Sequence, residues 1–171
     1  MLANTEEKGR EKCAQYWPEV LNKKHIREDG SYYITTAQSG GYEITLKLLA
    51  KQENYIISIL KLNKKNSASK ERTIYHCHYI TWPDHGVPKL NQLLHNSPMN
   101  PKPFIEFREA VNQLDDQKNP IVVHCSAGVG RTGTYIGYDA LVNNFNKTPK
   151  EFINPYSILK WLREHRNSLI Q

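Results

Sequence analysis

The first half of the chain shows the apolar and polar spacing of β-strands. Four segments rich in Tyr, Ile, Thr and Leu are bounded by Gly, Asn and Ser clusters, and they predict antiparallel strands at 31–36, 42–50, 54–62 and 72–80. Residues 82–103 then contain five prolines and few periodic apolar positions. This composition predicts a loop that separates the strands from the rest of the chain.

The second half shows the spacing of helices. A helix is predicted over 104–115, because one face collects Phe104, Phe107, Val111 and Leu114. A second helix is predicted from its apolar positions Tyr135, Ile136, Tyr138, Leu141 and Val142. A third is predicted to begin at Asn154 as the N-cap, with Pro155 in its first position.

One short apolar run lies between the first two predicted helices. Ile121, Val122 and Val123 follow an Asn-Pro pair, and they predict a buried strand. Strands followed by helices around one late strand are typical of a mixed α+β or α/β layer fold.

Composition places the chain among globular proteins and leaves its partner open. With 171 residues, 39% apolar and 23% charged, it suits a single domain with a sizeable core. No run of 18 apolar residues and no signal peptide is present, and three widely spaced cysteines favour an intracellular protein without disulfides. The net charge of +6 suits nucleic acid, anionic lipid or phosphorylated protein equally well.

The segment that joins the late strand to the second helix is the most informative. It reads His124-Cys125-Ser126-Ala127-Gly128-Val129-Gly130-Arg131-Thr132-Gly133. Unpaired N–H groups and the positive dipole end of a helix N-terminus form an anion site. Three glycines in six residues are expected to let the chain curl tightly, so that successive N–H groups converge on a ligand. The segment therefore predicts a site for a phosphate-like group.

Two nucleotide-binding motifs come close to this segment. The three glycines match the dinucleotide pattern G-x-G-x-x-G, and Glu151 has roughly the spacing of its acidic residue. However, residues 143–156 show no second strand, which that motif requires. The triphosphate loop G-x-x-x-x-G-K-[ST] is excluded more directly, because Thr134 stands where its lysine must be.

A cysteine at the base of such a loop suits phosphoryl transfer. We expect Cys125 to ionise below the usual thiol pKa of about 8.5, because the helix dipole, the N–H groups and Arg131 all favour the thiolate. A thiolate is a ready nucleophile, and a guanidinium can bind two phosphoryl oxygens. Thr132 can hydrogen-bond the sulfur. A purely packed cysteine is the alternative, but it leaves the arginine and the glycines unexplained.

The segment resembles the signature loop of the tyrosine-specific protein phosphatases, whose minimal form is Cys, five residues, Arg and Ser/Thr. The resemblance implies an α/β (mixed α+β) fold, with a twisted mixed β-sheet flanked by helices. It also implies hydrolysis of phosphotyrosine through a phosphocysteine, with Cys125 as nucleophile, Arg131 as phosphate clamp, and no cofactor. The implied phosphate-binding and supporting positions are Ser126, Ala127, Gly128, Val129, Gly130 and His124.

A second motif supplies a general acid. Phenols have a pKa of about 10, so their esters cleave faster when an acid protonates the leaving oxygen. The run Trp82-Pro83-Asp84-His85-Gly86-Val87-Pro88 resembles the family's mobile WPD loop. A loop aspartate alone is more often a turn residue. The resemblance implies that Asp84 protonates the leaving group, binds substrate and then activates water, with Trp82 as the anchor of the loop.

Both ends of the chain carry further matches. Residues 7–18 resemble a family segment that ends in KCxxYWP, which implies that Glu7 orients Arg131 and that Lys12 lies near the acid loop. The final residue, Gln171, matches the first glutamine of the family's glutamine loop. By that resemblance it binds substrate and positions the hydrolytic water.

A metal site is not expected. His76, Cys77 and His78 lie on a predicted strand, where alternation places the cysteine opposite the two histidines. No further cluster of ligand residues is nearby in the sequence.

The resemblance spans residues 1–171 but only part of the family's catalytic domain. The Tyr-bearing loop that frames the substrate ring precedes the matched part, so we expect a partial catalytic domain. One hypothesis is a cytoplasmic enzyme that acts on phosphotyrosine-containing proteins, with no nucleic acid partner and no membrane segment. The other is a catalytically impaired fragment that acts at most as a phosphoprotein-binding module. Joint retention of Cys125, Arg131, Asp84 and Gln171 favours the enzyme.

Overall fold

The computed structural model describes residues 1–18, 41–65, 67, 70–83, 86–88, 98–147 and 154–170. The predicted strand at 31–36 and the site residues Asp84 and Gln171 lie outside this part. The chain divides into two compact units, one formed by Met1–Cys13 with Trp82–Gln171 and the other by Ala14–Thr81. The class is mixed α+β, as predicted, with antiparallel sheets and three helices among the described residues.

The second unit is built on a three-stranded antiparallel sheet. Its strands are β3 (Tyr42–Lys51), β4 (Tyr55–Lys64) and β5 (Arg72–Tyr79), in that spatial order. The predicted strands at these positions are confirmed to within two residues at each end. The sheet holds its register through apolar cross-strand neighbours, because Leu60 on the central strand is paired with Leu46 on one side and Ile74 on the other.

Aromatic residues pack on the last strand of this sheet. The ring of Trp17 lies 4.7 Å from that of His76 and 5.6 Å from that of His78, centroid to centroid. The hydroxyl of Tyr16 lies 3.2 Å from Nε2 of His76. Both histidines therefore face the same side of β5, as strand alternation predicts.

The first unit opens with a short hairpin. Its strands are β1 (Glu6–Glu7) and β2 (Arg10–Glu11), with Glu7 opposite Arg10. The two turn residues, Lys8 and Gly9, have φ values of 54° and 72°. A two-residue turn with positive φ at both positions matches the twist of a hairpin. The turn brings Arg10 back beside Glu7, and the side chain of Glu7 contacts Arg131 near the start of the second helix of this unit.

Three helices complete this unit: α1 (Lys102–Leu114), α2 (Gly130–Lys147) and α3 (Pro155–His165). Helix α1 begins two residues before the predicted start. The predicted cap of α3 is confirmed, since Asn154 Oδ1 accepts hydrogen bonds from the N–H groups of Tyr156 and Ser157.

The apolar face of α1 packs against α2. Phe104, Phe107 and Val111 are buried, and the ring of Phe107 lies 6.0 Å from that of Tyr135. Beside them, Arg108 Nε donates to Asp139 Oδ1 at 2.8 Å, so an ion pair joins the two helices. These contacts fix the helix that begins in the phosphate loop.

The predicted buried strand at 121–123 is wrong. The segment has no strand assignment, and Val122 is 81% exposed. An apolar run becomes a strand only where a neighbouring chain pairs with its backbone. Directly after this run, the N–H of Leu2 donates to the carbonyl of His124 at 2.9 Å.

No helix in the described ranges is both long and apolar enough to cross a bilayer.

Candidate active site

Cys125 lies directly before the loop that leads into α2. Its side chain is buried, with 7% of the residue exposed. The hydroxyl of Thr132 donates to its sulfur at 3.1 Å, and this contact is itself buried. The predicted hydrogen bond between these two residues is therefore present, and it forms because α2 starts at Gly130 and turns Thr132 back over the cysteine.

The surroundings of the thiol favour its ionisation. Burial by itself raises its pKa, but several groups outweigh that effect and lower the pKa below the usual thiol value. They are the hydroxyl of Thr132, the backbone N–H groups of Thr132 and Gly128, and the charge of Arg131. A thiol with a lowered pKa is the more reactive kind.

Arg131 is held from behind by a carboxylate. Its Nη1 and Nη2 atoms donate to the two oxygens of Glu7, at 2.6 Å and 3.0 Å. Nη1 also donates to the carbonyl of Trp82 at 3.3 Å. A paired fork of this kind fixes the plane of the guanidinium. The Glu7 carboxylate accepts in turn from the N–H of Asn4 at 3.0 Å.

The three glycines of the loop serve different purposes, which corrects the expectation that all three serve the curl. Only Gly128 has positive φ, at 71°. Gly133 lies within α2, where a Cβ would come 2.6 Å from the backbone nitrogen of Ile170. Its purpose is close packing, because the 169–170 segment lies directly against the helix there. A Cβ on Gly130 would meet nothing within 4 Å.

Some of the remaining predicted site residues lie within the described part of the chain. Nδ1 of His124 lies 3.1 Å from the carbonyl oxygen of Cys125, while Ser126 is exposed. Trp82 is buried and its indole N–H donates to the carbonyl of Gly86 at 3.2 Å. This bond closes the ends of the segment that carries Asp84.

Lys12 donates its backbone N–H to the carbonyl of Thr5 at 2.8 Å and so closes the N-terminal hairpin. Its expected neighbour, Asp84, and the other expected catalytic residue, Gln171, lie outside the described residues, so their placement stays a prediction.

Sequence reasoning assigned no role to Arg166, which lies at the C-terminal end of α3. Its Nη2 atom donates to the carbonyl of Ala127 at 3.2 Å. Two residues later in the loop, the carbonyl of Val129 accepts a hydrogen bond from the N–H of Ile170 at 3.2 Å. No spacing rule relates a helix end to a loop nearly forty positions earlier, so the sequence held no signal for either contact.

The arrangement suits an oxyanion. A buried sulfur with a lowered pKa lies beside a guanidinium that is already oriented, at the start of a helix. Within the described ranges no three His, Cys, Asp or Glu side chains gather as metal ligands would.

A family model described as protein-tyrosine phosphatase matches residues 1–171. Tyrosine-protein phosphatase 99A of Drosophila melanogaster is 36% identical over 180 residues, a match that covers 100% of this chain and 12% of the relative. Receptor-type tyrosine-protein phosphatase C of Homo sapiens is 34% identical over 172 residues, covering 100% of this chain and 11% of the relative.

A third relative is shorter than these two. Tyrosine-protein phosphatase non-receptor type 2 of Rattus norvegicus is 35% identical over 176 residues, covering 100% of this chain and 36% of the relative. In each case the chain spans well under two thirds of the relative's length.

Proposed function

This chain belongs to the protein-tyrosine phosphatase family, and on that premise we propose that it hydrolyses phosphotyrosine in proteins through a phosphocysteine at Cys125. One observation carries the proposal: the sulfur is buried, its pKa is lowered, and Thr132 and Arg131 act on it together. Such a thiolate can attack phosphorus, and such a guanidinium can bind the phosphoryl oxygens as it does so.

The first step transfers the phosphoryl group to sulfur. The thiolate of Cys125 attacks phosphorus, the P–S bond forms, and the P–O bond to the tyrosine ring breaks. Arg131 and the N–H groups of the 126–130 loop other than that of Gly128 bind the non-bridging oxygens. By the family resemblance, Asp84 gives its proton to the departing phenolate. Protonation of this kind contributes about 10²- to 10⁴-fold to such a reaction.

The second step restores the enzyme. Asp84, now a carboxylate, takes a proton from water, and the water oxygen attacks phosphorus while the P–S bond breaks. Inorganic phosphate leaves and the thiolate returns, stabilised by the hydroxyl of Thr132 that donates to it. The resemblance gives Gln171 the role of positioning the attacking water.

Glu7 and Trp82 support these steps by fixing Arg131. Nη1 and Nη2 of Arg131 both donate to the carboxylate of Glu7, and Nη1 also donates to the carbonyl of Trp82. The orientation of the guanidinium is therefore set before substrate arrives. Orientation set in advance avoids a reorganisation cost at the moment of reaction.

We also propose that the partners are phosphotyrosine-containing proteins, in an intracellular setting and within a signalling role. The three cysteines are widely spaced in the sequence and form no disulfide among the described residues, an arrangement that suits a reducing compartment. Nucleic acid is not proposed as a partner, since the basic residues of the sequence do not gather in one arm or on one helix face.

The test measures hydrolysis of a phosphotyrosine peptide by the purified chain, monitored as release of inorganic phosphate. Thermal unfolding is recorded on the same sample. The expected result is release that depends on Cys125 and is lost in Cys125→Ser, while that variant still binds the peptide. A folded chain that binds the peptide without turnover would support a binding module instead. Equal turnover by both proteins would refute the mechanism.

A further inference from the structure

The peptide unit between Ala127 and Gly128 makes a contact on each of its sides. Its carbonyl accepts a hydrogen bond from Nη2 of Arg166 at 3.2 Å. Its N–H belongs to Gly128 and is one of the groups that lower the pKa of the Cys125 thiol. Arg166 and Cys125 therefore act on opposite ends of one rigid group.

The geometry of a trans peptide couples these two contacts. No cis peptide bond occurs among the described residues, and in a planar trans unit the C=O and N–H bonds point in opposite directions. A donor that holds the carbonyl of Ala127 on the outer side of the loop therefore turns the N–H of Gly128 inward. A rotated peptide would instead aim a carbonyl oxygen, the negative end of the dipole, at the thiolate.

Glycine at position 128 fits the same arrangement. Its φ of 71° is in the left-handed region, which disfavours side chains. A Cβ there would also lie 3.1 Å from Nη2 of Arg166. The guanidinium thus occupies the space that a side chain would need, directly over the peptide that it holds.

The backbone of Arg166 is fixed by the helix before it. Arg166 is the C-cap of α3, and its N–H donates to the carbonyl of Leu162 at 3.0 Å. One turn earlier, Arg163 donates to the carbonyls of Leu169 and Ile170, at 3.0 Å and 2.9 Å. Hydrogen bonds therefore fix the end of α3 and the segment after it, and Arg166 contacts the phosphate loop from this fixed position.

We propose that Arg166 is a positioning residue of the phosphate loop, which holds the Ala127 carbonyl outward and thereby aims the Gly128 N–H at the sulfur of Cys125. The proposal rests on the proposed function in one respect, namely that this sulfur is the nucleophile. Arg166 touches neither the sulfur nor the phosphoryl group in this scheme and acts only through the peptide.

The test compares Arg166→Met with Lys160→Met, which removes a positive charge from the same helix without touching the loop. Iodoacetate alkylation of Cys125 is followed across pH, with the modified peptide identified by mass spectrometry so that the other two cysteines do not contribute. Hydrolysis of an aryl phosphate is measured alongside. Both experiments are repeated at about 1 M salt, where the Debye length is about 3 Å and bare charge effects are screened.

We expect Arg166→Met to shift the alkylation midpoint to higher pH and to lower kcat/KM roughly 10-fold, the effect of one lost charge-assisted hydrogen bond. The shift should persist at high salt, and Lys160→Met should match the wild type. An unchanged midpoint in a folded Arg166→Met protein, or a shift that salt abolishes, would overturn the proposal.

Arg166 is exposed, so the Met variant is expected to fold. Arg166→Gln, which keeps an N–H donor, provides a second variant, and unfolding of both would show a structural role and overturn the proposal. A chain that alkylates readily at Cys125 and responds to Arg166→Met, yet hydrolyses no ester, would uphold this inference while refuting the proposed activity.

Discussion

Glu7 and Arg131 form a bidentate ion pair across 124 positions of sequence, with oxygen–nitrogen distances of 2.6 Å and 3.0 Å. Both side chains are buried, at 8% and 7% exposure. A buried charge that loses its partner is strongly destabilising. The pair therefore links the stability of the N-terminal hairpin to the orientation of the proposed phosphate clamp.

Glu7→Gln should lower both stability and activity. The amide keeps the shape of the side chain but leaves the guanidinium of Arg131 without its counter-charge. We expect the free energy of unfolding to fall by about 3 kcal/mol, measured by urea denaturation, and kcat/KM for an aryl phosphate to fall as well. Glu6→Gln is the matched control, because Glu6 is the exposed neighbour in the same strand. Similar losses in both variants would contradict the account.

Thr132→Val should make the thiol of Cys125 harder to ionise. Valine keeps the volume and branching of threonine but cannot donate to the sulfur, which now accepts at 3.1 Å. Because that hydroxyl lowers the pKa of the thiol, the alkylation profile should move to higher pH. Loss of phosphate from the phosphocysteine should also slow, since the departing thiolate is less stabilised.

The control for this change is Thr134→Val on the same helix. The hydroxyl of Thr134 donates to the carbonyl of Gly130 at 3.1 Å and not to sulfur. Its alkylation profile should match that of the wild type. A profile for Thr132→Val that coincides with both would show that the hydroxyl has no effect on ionisation.

The stability of the chain should depend on pH through Cys125. The folded thiol has a lowered pKa. At pH values between this folded pKa and the higher pKa of the unfolded chain, the unfolded chain holds a proton on this sulfur that the folded chain has released. Stability conferred by the thiolate therefore rises with pH through this window and is constant above it. It is lost as pH falls through the folded pKa.

The measurement is the difference in unfolding free energy between wild type and Cys125→Ser at several pH values. The raised pKa values of Cys13 and Cys77 affect both proteins and cancel in the difference. We expect the unfolding free energy of the wild type to rise relative to that of the variant as pH increases toward the pKa of the unfolded thiol. A difference that is flat or declines with pH would contradict the lowered pKa.

Gly133→Ala should disturb the site through packing. The added Cβ would lie 2.6 Å from the nitrogen of Ile170, and a backbone atom cannot move aside cheaply. We expect a loss of about 1–3 kcal/mol, typical of overpacking, together with weaker catalysis, because the N–H of Ile170 also holds the carbonyl of Val129. Asn144→Ala, at an exposed position of α2, is the control. Equal thermal unfolding temperatures for both variants would refute the packing role.

Local patterns predicted the regular elements of the chain well. The strands of the main sheet are rich in Tyr, Ile, Thr and Leu and are bounded by Gly, Asn and Ser clusters. The α3 boundary follows from an asparagine cap and a proline that act within one turn. The run at 121–123 failed because its composition reports only a tendency to be buried. Whether such a run pairs depends on which other segment lies beside it, and that is a tertiary property.

The site could be predicted where its residues are close in sequence. Cys125, Arg131 and Thr132 lie within eight consecutive residues, and their chemistry follows from their spacing alone. Glu7 came only from the family resemblance, because nothing in its own segment indicates a partner 124 positions away. Arg166 came from neither, since its role depends on where a helix ends in space.

The most direct test of the account is to identify the covalent intermediate. The chain is mixed with an aryl phosphate, quenched in acid during turnover and digested, and the phosphorylated peptide is located by mass spectrometry. The phosphocysteine mechanism predicts one added phosphoryl group on the peptide that contains Cys125, and none on that peptide in Cys125→Ser. Turnover without a phosphorylated cysteine, or with the phosphoryl group on another residue, would contradict it.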